Sequence, residues 1–161
     1  MKTHTNRTVL ALAVAMSLTT ISTAMAGSEH SSFQAHQITV PSEKSFEQVT
    51  DAVKSLVTKS GMMVLGEVDQ GKILSMTGLK VKAHLFLVGN PTIGKKLFEQ
   101  VQAVGLYVPF RVFVYNDEDG KTFVSYDQPS TLLSQFDNDE VTMVGRKLDE
   151  KLSGLATMAA N

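Results

Sequence analysis

Residues 106–127 read LYVPFRVFVYNDEDGKTFVSYD, two runs of alternating side chains separated by a polar turn. Runs rich in Val, Phe and Tyr with period-two alternation are typical of β-strands, and an Asp-Gly pair between them is typical of a hairpin. The spacing predicts strands at 106–115 and 121–127, joined by a turn at 116–120. The remaining strands and helices are predicted from the sequence on either side of this hairpin.

Patterns on either side of the hairpin predict further strands and helices. Ser45, with Gln48 three residues later, forms a capping-box pattern before an apolar stripe of helical period. The other predicted elements are strands at 34–40, 62–68 and 83–88, helices at 72–77, 92–104 and 130–136, and a last helix capped by Asp137 and Glu140. The order β-α-β-(α)-β-α-β-β-α-α predicts an α+β fold, a single mostly antiparallel sheet of about five strands with helices packed on it.

The sequence also predicts where the first strand ends, which strand is buried and which residues of one helix are buried. Pro41 is expected to end the first strand because proline cannot donate to a ladder. The run 62–65 (MMVL) is expected to be a buried strand. The helix at 92–104 is expected to bury Ile93, Leu97, Phe98 and Val101.

The first 26 residues carry the pattern of an export signal. Lys2 and Arg7 precede an apolar run at 9–21, and Ala24-Met25-Ala26 matches the small-residue site that signal peptidase reads. A membrane anchor would need about 20 continuous apolar residues, and this run is shorter. The sequence therefore predicts a signal peptide at 1–26, a flexible polar segment at 27–33 and a single domain at 34–161, periplasmic or secreted, with no membrane partner after cleavage.

Composition excludes several classes of function. The chain has no Cys, which removes disulfides, thiolate metal sites and thiol nucleophiles together. Loss of the signal takes away two basic residues and no acidic one, so 13 basic residues remain against 16 acidic ones, a net charge of −3. This mildly acidic balance gives no electrostatic reason to expect a nucleic acid as partner.

The turn Gly89-Asn90-Pro91 is the most distinctive short motif, and it has two interpretations. Asn90 could donate its amide to a ligand at the start of the following helix, with Lys95 adding positive charge nearby. Alternatively, Gly-Asn-Pro makes a strand-to-helix turn in which the Asn side chain satisfies backbone groups. Turn chemistry alone accounts for each residue, so the structural interpretation is preferred.

The other candidate ligand-binding residues lie on predicted strands. His84 has no recognisable Ser-His-Asp partners, so no catalytic residue is assigned and a hydrogen-bonded structural role is expected. Arg111, Phe113, Tyr115 and Tyr126 could line a pocket beside the sheet, although aromatic residues in strands commonly pack against their neighbours. Large side chains on both faces of the 106–115 strand predict a homodimer or a ligand cleft at Arg111, Phe113 and Tyr115.

Imidazole and thioether groups raise a copper hypothesis. His30, His36, Met62, Met63 and Met76 carry the ligand types that copper prefers. The sequence has no M-x-x-M or H-x-H cluster, and Met commonly fills gaps in cores. No metal site is assigned, and no cofactor is expected.

A set of motifs spread over the chain is shared with a known family. The motifs are 61–69 (GMMVLGEVD), Gly78, 87–91 (LVGNP) with Gly94, 105–112 (GLYVPFRV), Tyr115 with Asp119-Gly120, and Tyr126 with Pro129. In these the chain resembles the bacterial family called domain of unknown function 302. The resemblance implies a compact α/β sandwich, often dimeric, with no established activity. Members commonly carry a His where this chain has Gln70.

Together these observations favour an exported, non-catalytic binding or interaction module, a homodimer with an unknown small ligand and a role linked to stress. Two alternatives stay open. One is an enzyme that acts on a small polar molecule near Asn90, His84 and Arg111. The other is a copper- or metal-linked accessory protein.

Overall fold

The computed structural model of this chain describes residues 36–161. The predicted signal at 1–26, the segment at 27–33 with His30, and the predicted start of the first strand lie outside the described residues. The strands are β1 (Gln37–Ser42), β2 (Met63–Asp69), β3 (Ala83–Gly89), β4 (Phe110–Asn116) and β5 (Thr122–Asp127). The helices are α1 (Phe46–Lys59), α2 (Gln70–Ser75), α3 (Pro91–Gln100), α4 (Pro129–Ser134) and α5 (Asp139–Ala160), with a 3₁₀ turn at Gln102–Leu106.

The five strands form one sheet in the order β1-β5-β4-β3-β2, and every neighbouring pair is antiparallel. The predicted hairpin is present as β4 and β5 at the middle of the sheet, with Val114 opposite Val124. β1 and β2 are therefore the two edges. The predicted α+β class and the predicted order of elements are confirmed.

The hydrophobic core lies between one face of the sheet and the helices. α1 contributes Val49, Val53 and Val57, spaced by four residues and fully buried, as the stripe in the sequence predicts. Alternate residues of the strands meet these side chains because successive side chains of a strand point to opposite faces. The principal core residues of the strands and of α5 are Phe86, Val88, Val112, Val114, Val124, Leu148, Leu152 and Leu155.

The ends of α1 follow their predicted chemistry. The Ser45 hydroxyl accepts a hydrogen bond from the Gln48 backbone N–H at 3.3 Å, and the Gln48 side chain accepts one from the Ser45 N–H at 3.0 Å. The two bonds complete a capping box. Gly61, which follows the helix, has a φ of +73°, a conformation that favours glycine.

Both edge strands differ from the prediction. β1 continues through Pro41, which lies opposite Phe123, because an edge strand has one side on which no N–H is required. β2 is not a buried strand: Met63 is 52% exposed and Leu65 is 49% exposed. Its edge position explains the exposure, and a bulge between Val64 and Gly66 interrupts the ladder.

The segment between α3 and β4 also differs. The predicted helix at 92–104 ends at Gln100, because Val101 has an extended backbone and a separate 3₁₀ turn follows. β4 begins at Phe110 rather than at 106. The cap of α5 is Asn138, whose side chain accepts from the Val141 N–H at 3.0 Å, and not Asp137, which has a positive φ.

Candidate functional site

The face of the sheet that points away from the core is the open face. The strand register places the following residues on it: Gln37, Thr39, Pro41, Met63, Gly66, Val68, Ala83, Leu85, Leu87, Gly89, Arg111, Phe113, Tyr115, Phe123, Ser125 and Asp127. The core cluster lies on the other face, and α2 contributes no buried residue. The open face therefore carries large side chains that the described helices do not bury.

Three aromatic rings form a continuous stack on this face, here called the aromatic ladder: Phe113, Tyr115 and Phe123. The rings of Phe113 and Tyr115 are 5.0 Å apart between centroids with an interplanar angle of 13°. Tyr115 lies opposite Phe123 on β5, and their ring centroids are 5.4 Å apart. One contact runs along β4 and the other crosses to β5, so each ring is restrained by a neighbouring ring and the ladder forms a pre-ordered apolar surface.

A charged pair lies beside the ladder. The Arg111 guanidinium donates from Nη2 to Asp127 Oδ2 at 2.7 Å, across the β4–β5 pair. The Arg111 side chain is 63% exposed, so the charge faces solvent. A shallow depression of about 300 Å³ lies here, lined by Gln37, Gln70, Leu85, Arg111, Phe113, Ser125, Tyr126 and Asp127.

Asn90 and Lys95 lie apart from this surface, at the start of α3. The Asn90 Oδ1 accepts from the N–H groups of Thr92 and Ile93 at 2.8 and 3.1 Å, and its Nδ2 donates to the Gly61 carbonyl at 2.7 Å. Asn90 is therefore the N-cap of α3 and a link to the end of α1, as the structural interpretation holds. Lys95 pairs with Glu99 one turn later at 3.1 Å.

His84 lies on the helix-covered side of the sheet, near the start of β3. Its Nε2 is 3.0 Å from Glu67 Oε2, and Lys54 Nζ is 2.8 Å from the same oxygen. The hydrogen bond from Lys54 is the main cause that lowers the pKa of Glu67, desolvation opposes it, and His84 adds to it. The His84 ring stacks on Phe86 at 4.6 Å. The arrangement holds the imidazole between β2 and β3.

Tyr126 alternates onto the core side with Val124 and is 5% exposed. Burial raises the pKa of its hydroxyl, and a hydrogen bond with Ser153 only partly opposes this shift. Tyr126 thus belongs to the packing beneath α5 more than to the open face. Five residues of β3 lie between His84 and Asn90, and the six steps span about 20 Å at the usual rise of a strand. The predicted binding residues therefore do not converge on one point.

The residues proposed as metal ligands are dispersed in the described part of the chain. Met62 is buried in the core, whereas Met63 and Met76 are exposed on the surface. His36 Nδ1 lies 2.8 Å from Gln128 Oε1. Within residues 36–161, no three His, Asp or Glu side chains are grouped as a metal ion requires. Within the same residues, none of the helices combines the length and apolarity needed to cross a bilayer.

Sequence reasoning missed several members of the open face. Phe123 completes the aromatic ladder, Asp127 neutralises Arg111, and Leu85 lies opposite Phe113. The period-two pattern of residues 121–127 already placed Phe123 and Asp127 on one face of β5. What the pattern did not supply was the register that brings that face beside Arg111 and Tyr115.

Comparisons with known proteins agree on the fold. The family profile described as "Domain of unknown function DUF302" matches residues 38–159. A crystal structure of an uncharacterized conserved DUF302 protein from Bacillus stearothermophilus superposes with a TM-score of 0.71 at 16% identity, covering 78% of this chain and 98% of that one. At this identity the likeness concerns the fold alone.

Curated relatives are longer proteins. A protein of Brucella suis biovar 1 named "Fluoride-specific ion channel FluC 1" is 29% identical over 96 residues, which are 59% of this chain and 38% of that protein. Its namesake in Brucella abortus biovar 1 matches equally, over 36% of its length. The chain thus spans little more than a third of the curated relatives that it matches.

Proposed function

The chain belongs to the DUF302 family, and we propose that it is a non-catalytic interaction module that pairs face to face with a second copy of itself through the open face. The observation that carries this proposal is the composition of that face. Among the described residues, its side chains include three stacked aromatic rings, several aliphatic residues and one arginine, but no Lys and no Glu.

That composition matches the centre of a protein–protein interface. Aromatic residues and Arg are enriched in such centres, whereas Lys and Glu are depleted, because flexible charged side chains are costly to desolvate. A surface intended for water has the opposite bias. The aromatic ladder is also pre-ordered, so its burial against a partner costs little side-chain entropy.

A stable dimer interface needs more area than the open face of the sheet provides, so we expect the interface to extend past the sheet. Five strands about six residues long give a flat area on the order of 500 Å² at the usual strand spacing, and a stable interface removes about 800 Å² from each partner. α2 borders the open face, since Gln70 lines the same depression as Phe113. Exposed apolar residues continue along α2 and the loop after it: Ile73, Leu74, Met76, Leu79 and Val81. We therefore expect the interface to include part of this apolar continuation.

The charges of the face suit a two-fold pair. In a symmetric dimer the same patch meets itself, so charges buried there are balanced only if the patch carries both signs. Arg111 and Asp127 lie side by side on one patch, 2.7 Å apart. A two-fold axis that passes close to this pair would bring the Asp127 of each copy to the Arg111 of the other, so both charges would keep partners in the interface.

The test is sedimentation velocity at micromolar concentration with one open-face variant and one control. Phe113→Asp places a charge in the middle of the ladder and should convert the dimer to a monomer. Met143→Asp, at a 51% exposed position of α5, should leave the dimer intact. A wild-type protein that sediments as a monomer over the whole range would contradict the proposal, as would a Phe113→Asp dimer.

We infer further that the module works after export, in the periplasm or outside the cell. Lys2, Arg7, the apolar run at 9–21 and the site ending at Ala26 support this. The Brucella relatives support the description as a module, because the matched region accounts for 38% of one longer protein and 36% of another.

An enzymatic role has less support. His84, Asn90 and Arg111 were its proposed residues, but His84 is held by Glu67 and Asn90 by backbone groups. Arg111 lies on the opposite face of the sheet from His84. General acid–base catalysis needs groups within hydrogen-bond reach of one substrate atom, and these three are spread over the molecule.

A further inference from the structure

A second cavity lies at the end of the sheet beside α3, away from the aromatic ladder; it is called the α3 cleft. Its volume is about 290 Å³. Leu97, Phe110 and Leu148 form its floor and are at most 4% exposed, so the cleft reaches the hydrophobic core itself. Leu65 and Phe98, about half exposed, form its rim.

The lining offers a ligand no free polar side chain from the described part of the protein. Among residues 36–161, no charged residue lines the α3 cleft, and Asn90 is its one polar side chain. Both ends of the Asn90 amide are already occupied, Oδ1 by two backbone N–H groups and Nδ2 by the Gly61 carbonyl. A peptide segment or a charged molecule would leave its own polar groups without partners there, at a cost of several kcal/mol each by the order of magnitude of transfer energies.

Gly94 keeps one wall of the cleft open. It lies inside α3, where glycine costs about 1 kcal/mol relative to alanine. A Cβ atom at Gly94 would meet no neighbouring atom within 4 Å, so no steric conflict requires glycine at this position. The consequence of glycine here is empty space next to Leu97 and Phe98 on the same helix.

We propose that the α3 cleft binds a small uncharged apolar molecule. An apolar cavity of about 150 Å³ holds benzene, so the α3 cleft has room for a group about twice that size, such as a two-ring aromatic. Binding there removes Leu65 and Phe98 from water and contacts the core residues of the floor. This site goes beyond the proposed pairing, since none of its lining residues belongs to the aromatic ladder or to the Arg111–Asp127 pair.

The test uses naphthalene as the probe, with a cleft-filling variant and a matched control. Gly94→Leu should project a side chain into the cleft. Gly154→Leu makes the same change inside α5, where a Cβ also meets nothing within 4 Å, so both variants gain the same helix propensity. Naphthalene should raise the melting temperature of the wild type and of Gly154→Leu, and calorimetry should show at least tenfold weaker binding to Gly94→Leu.

A second variant tests the site without a change in the helix. Leu65→Asp places a charge at an exposed rim position and should weaken naphthalene binding as Gly94→Leu does. Phe113→Asp, which disrupts the proposed dimer, should leave this binding unchanged. The inference is overturned if the wild type does not bind naphthalene, if Gly94→Leu and Leu65→Asp both bind it as the wild type does, or if Phe113→Asp abolishes it.

Discussion

Asn90 connects three backbone groups through one side chain. Its oxygen accepts from two N–H groups at the start of α3, and its nitrogen donates to the carbonyl of Gly61, just past the end of α1. The unpaired N–H groups at a helix start need such acceptors, and the Gly61 carbonyl gains a protein partner at an exposed position. The side chain therefore stabilises the junction between two elements as well as the cap itself.

Two substitutions of Asn90 should lower the free energy of unfolding by different amounts. Asn90→Ala removes the cap and the link to Gly61 and should cost about 1–2 kcal/mol. Asn90→Ser keeps a capping oxygen but loses the donor to Gly61, so its free energy of unfolding should lie between that of the Asn90→Ala variant and that of the wild type. Urea titration followed by circular dichroism measures both.

Two other outcomes would change the role assigned to Asn90. If Asn90→Ala unfolds with the wild-type midpoint but loses the ability to bind naphthalene, the side chain serves the α3 cleft and not the cap. If Asn90→Ser is as unstable as Asn90→Ala, the bond to Gly61 dominates and capping contributes little.

Among the elements, α4 and α5 approach each other most closely at Gly145. A Cβ atom there would lie 2.8 Å from the Cα of Ser130 and 3.2 Å from its nitrogen, both backbone atoms that cannot rotate away. One turn later, Asp149 accepts from the Ser130 N–H at 2.8 Å and from the Gln128 amide at 3.0 Å. The short helix α4 is thereby fixed on α5 by contact and by hydrogen bonds together.

Two glycine-to-alanine changes in α5 should have opposite effects. Gly145→Ala forces α4 away from α5 and should destabilise the fold by about 1–3 kcal/mol, the usual range for overpacking. Gly154→Ala, where the new Cβ meets no atom within 4 Å, should stabilise it by up to about 1 kcal/mol through helix propensity. Thermal unfolding of the two variants side by side measures the difference. Equal melting temperatures of the two variants would mean that α4 moves away from α5 without a measurable loss of stability.

Features that depend on local sequence were predictable, whereas features that depend on the position of a strand in the sheet were not. The capping box at Ser45 and the stripe Val49, Val53, Val57 need only local chemistry, and both are present. The prediction for Pro41 was wrong because its tolerance depends on β1 being an edge, which the sequence alone does not reveal. For the same reason the exposure of Met63 was not foreseen.

In the candidate site, too, local sequence predicted the features within one strand and not those that depend on neighbouring strands. Alternation along one strand correctly placed Arg111, Phe113 and Tyr115 on one face. It could not supply Phe123 and Asp127 as their neighbours, since that requires the pairing of β4 with β5 residue by residue. The α3 cleft was not predicted, because its walls come from β2, α3, α5 and the segment before β4.

The proposed export predicts the residue at which the mature chain begins. Positive residues Lys2 and Arg7, the apolar run and the Ala24-Met25-Ala26 site predict cleavage after Ala26. N-terminal sequencing of protein from a periplasmic extract should begin at Gly27. A protein that retains Met1 and fractionates with membranes would contradict both the cleavage and the proposed location.

The two edges of the sheet bear on how copies of this protein can assemble at all. Pro41 has no N–H to offer an incoming strand at β1, and the bulge between Val64 and Gly66 breaks the regular spacing at β2. Neither border is a good template for adding strand after strand, the route by which sheets grow into fibrils. Copies that associate by their flat sides instead stop at two. The proposed pairing would therefore give crowded chains a closed pair in place of an open-ended polymer.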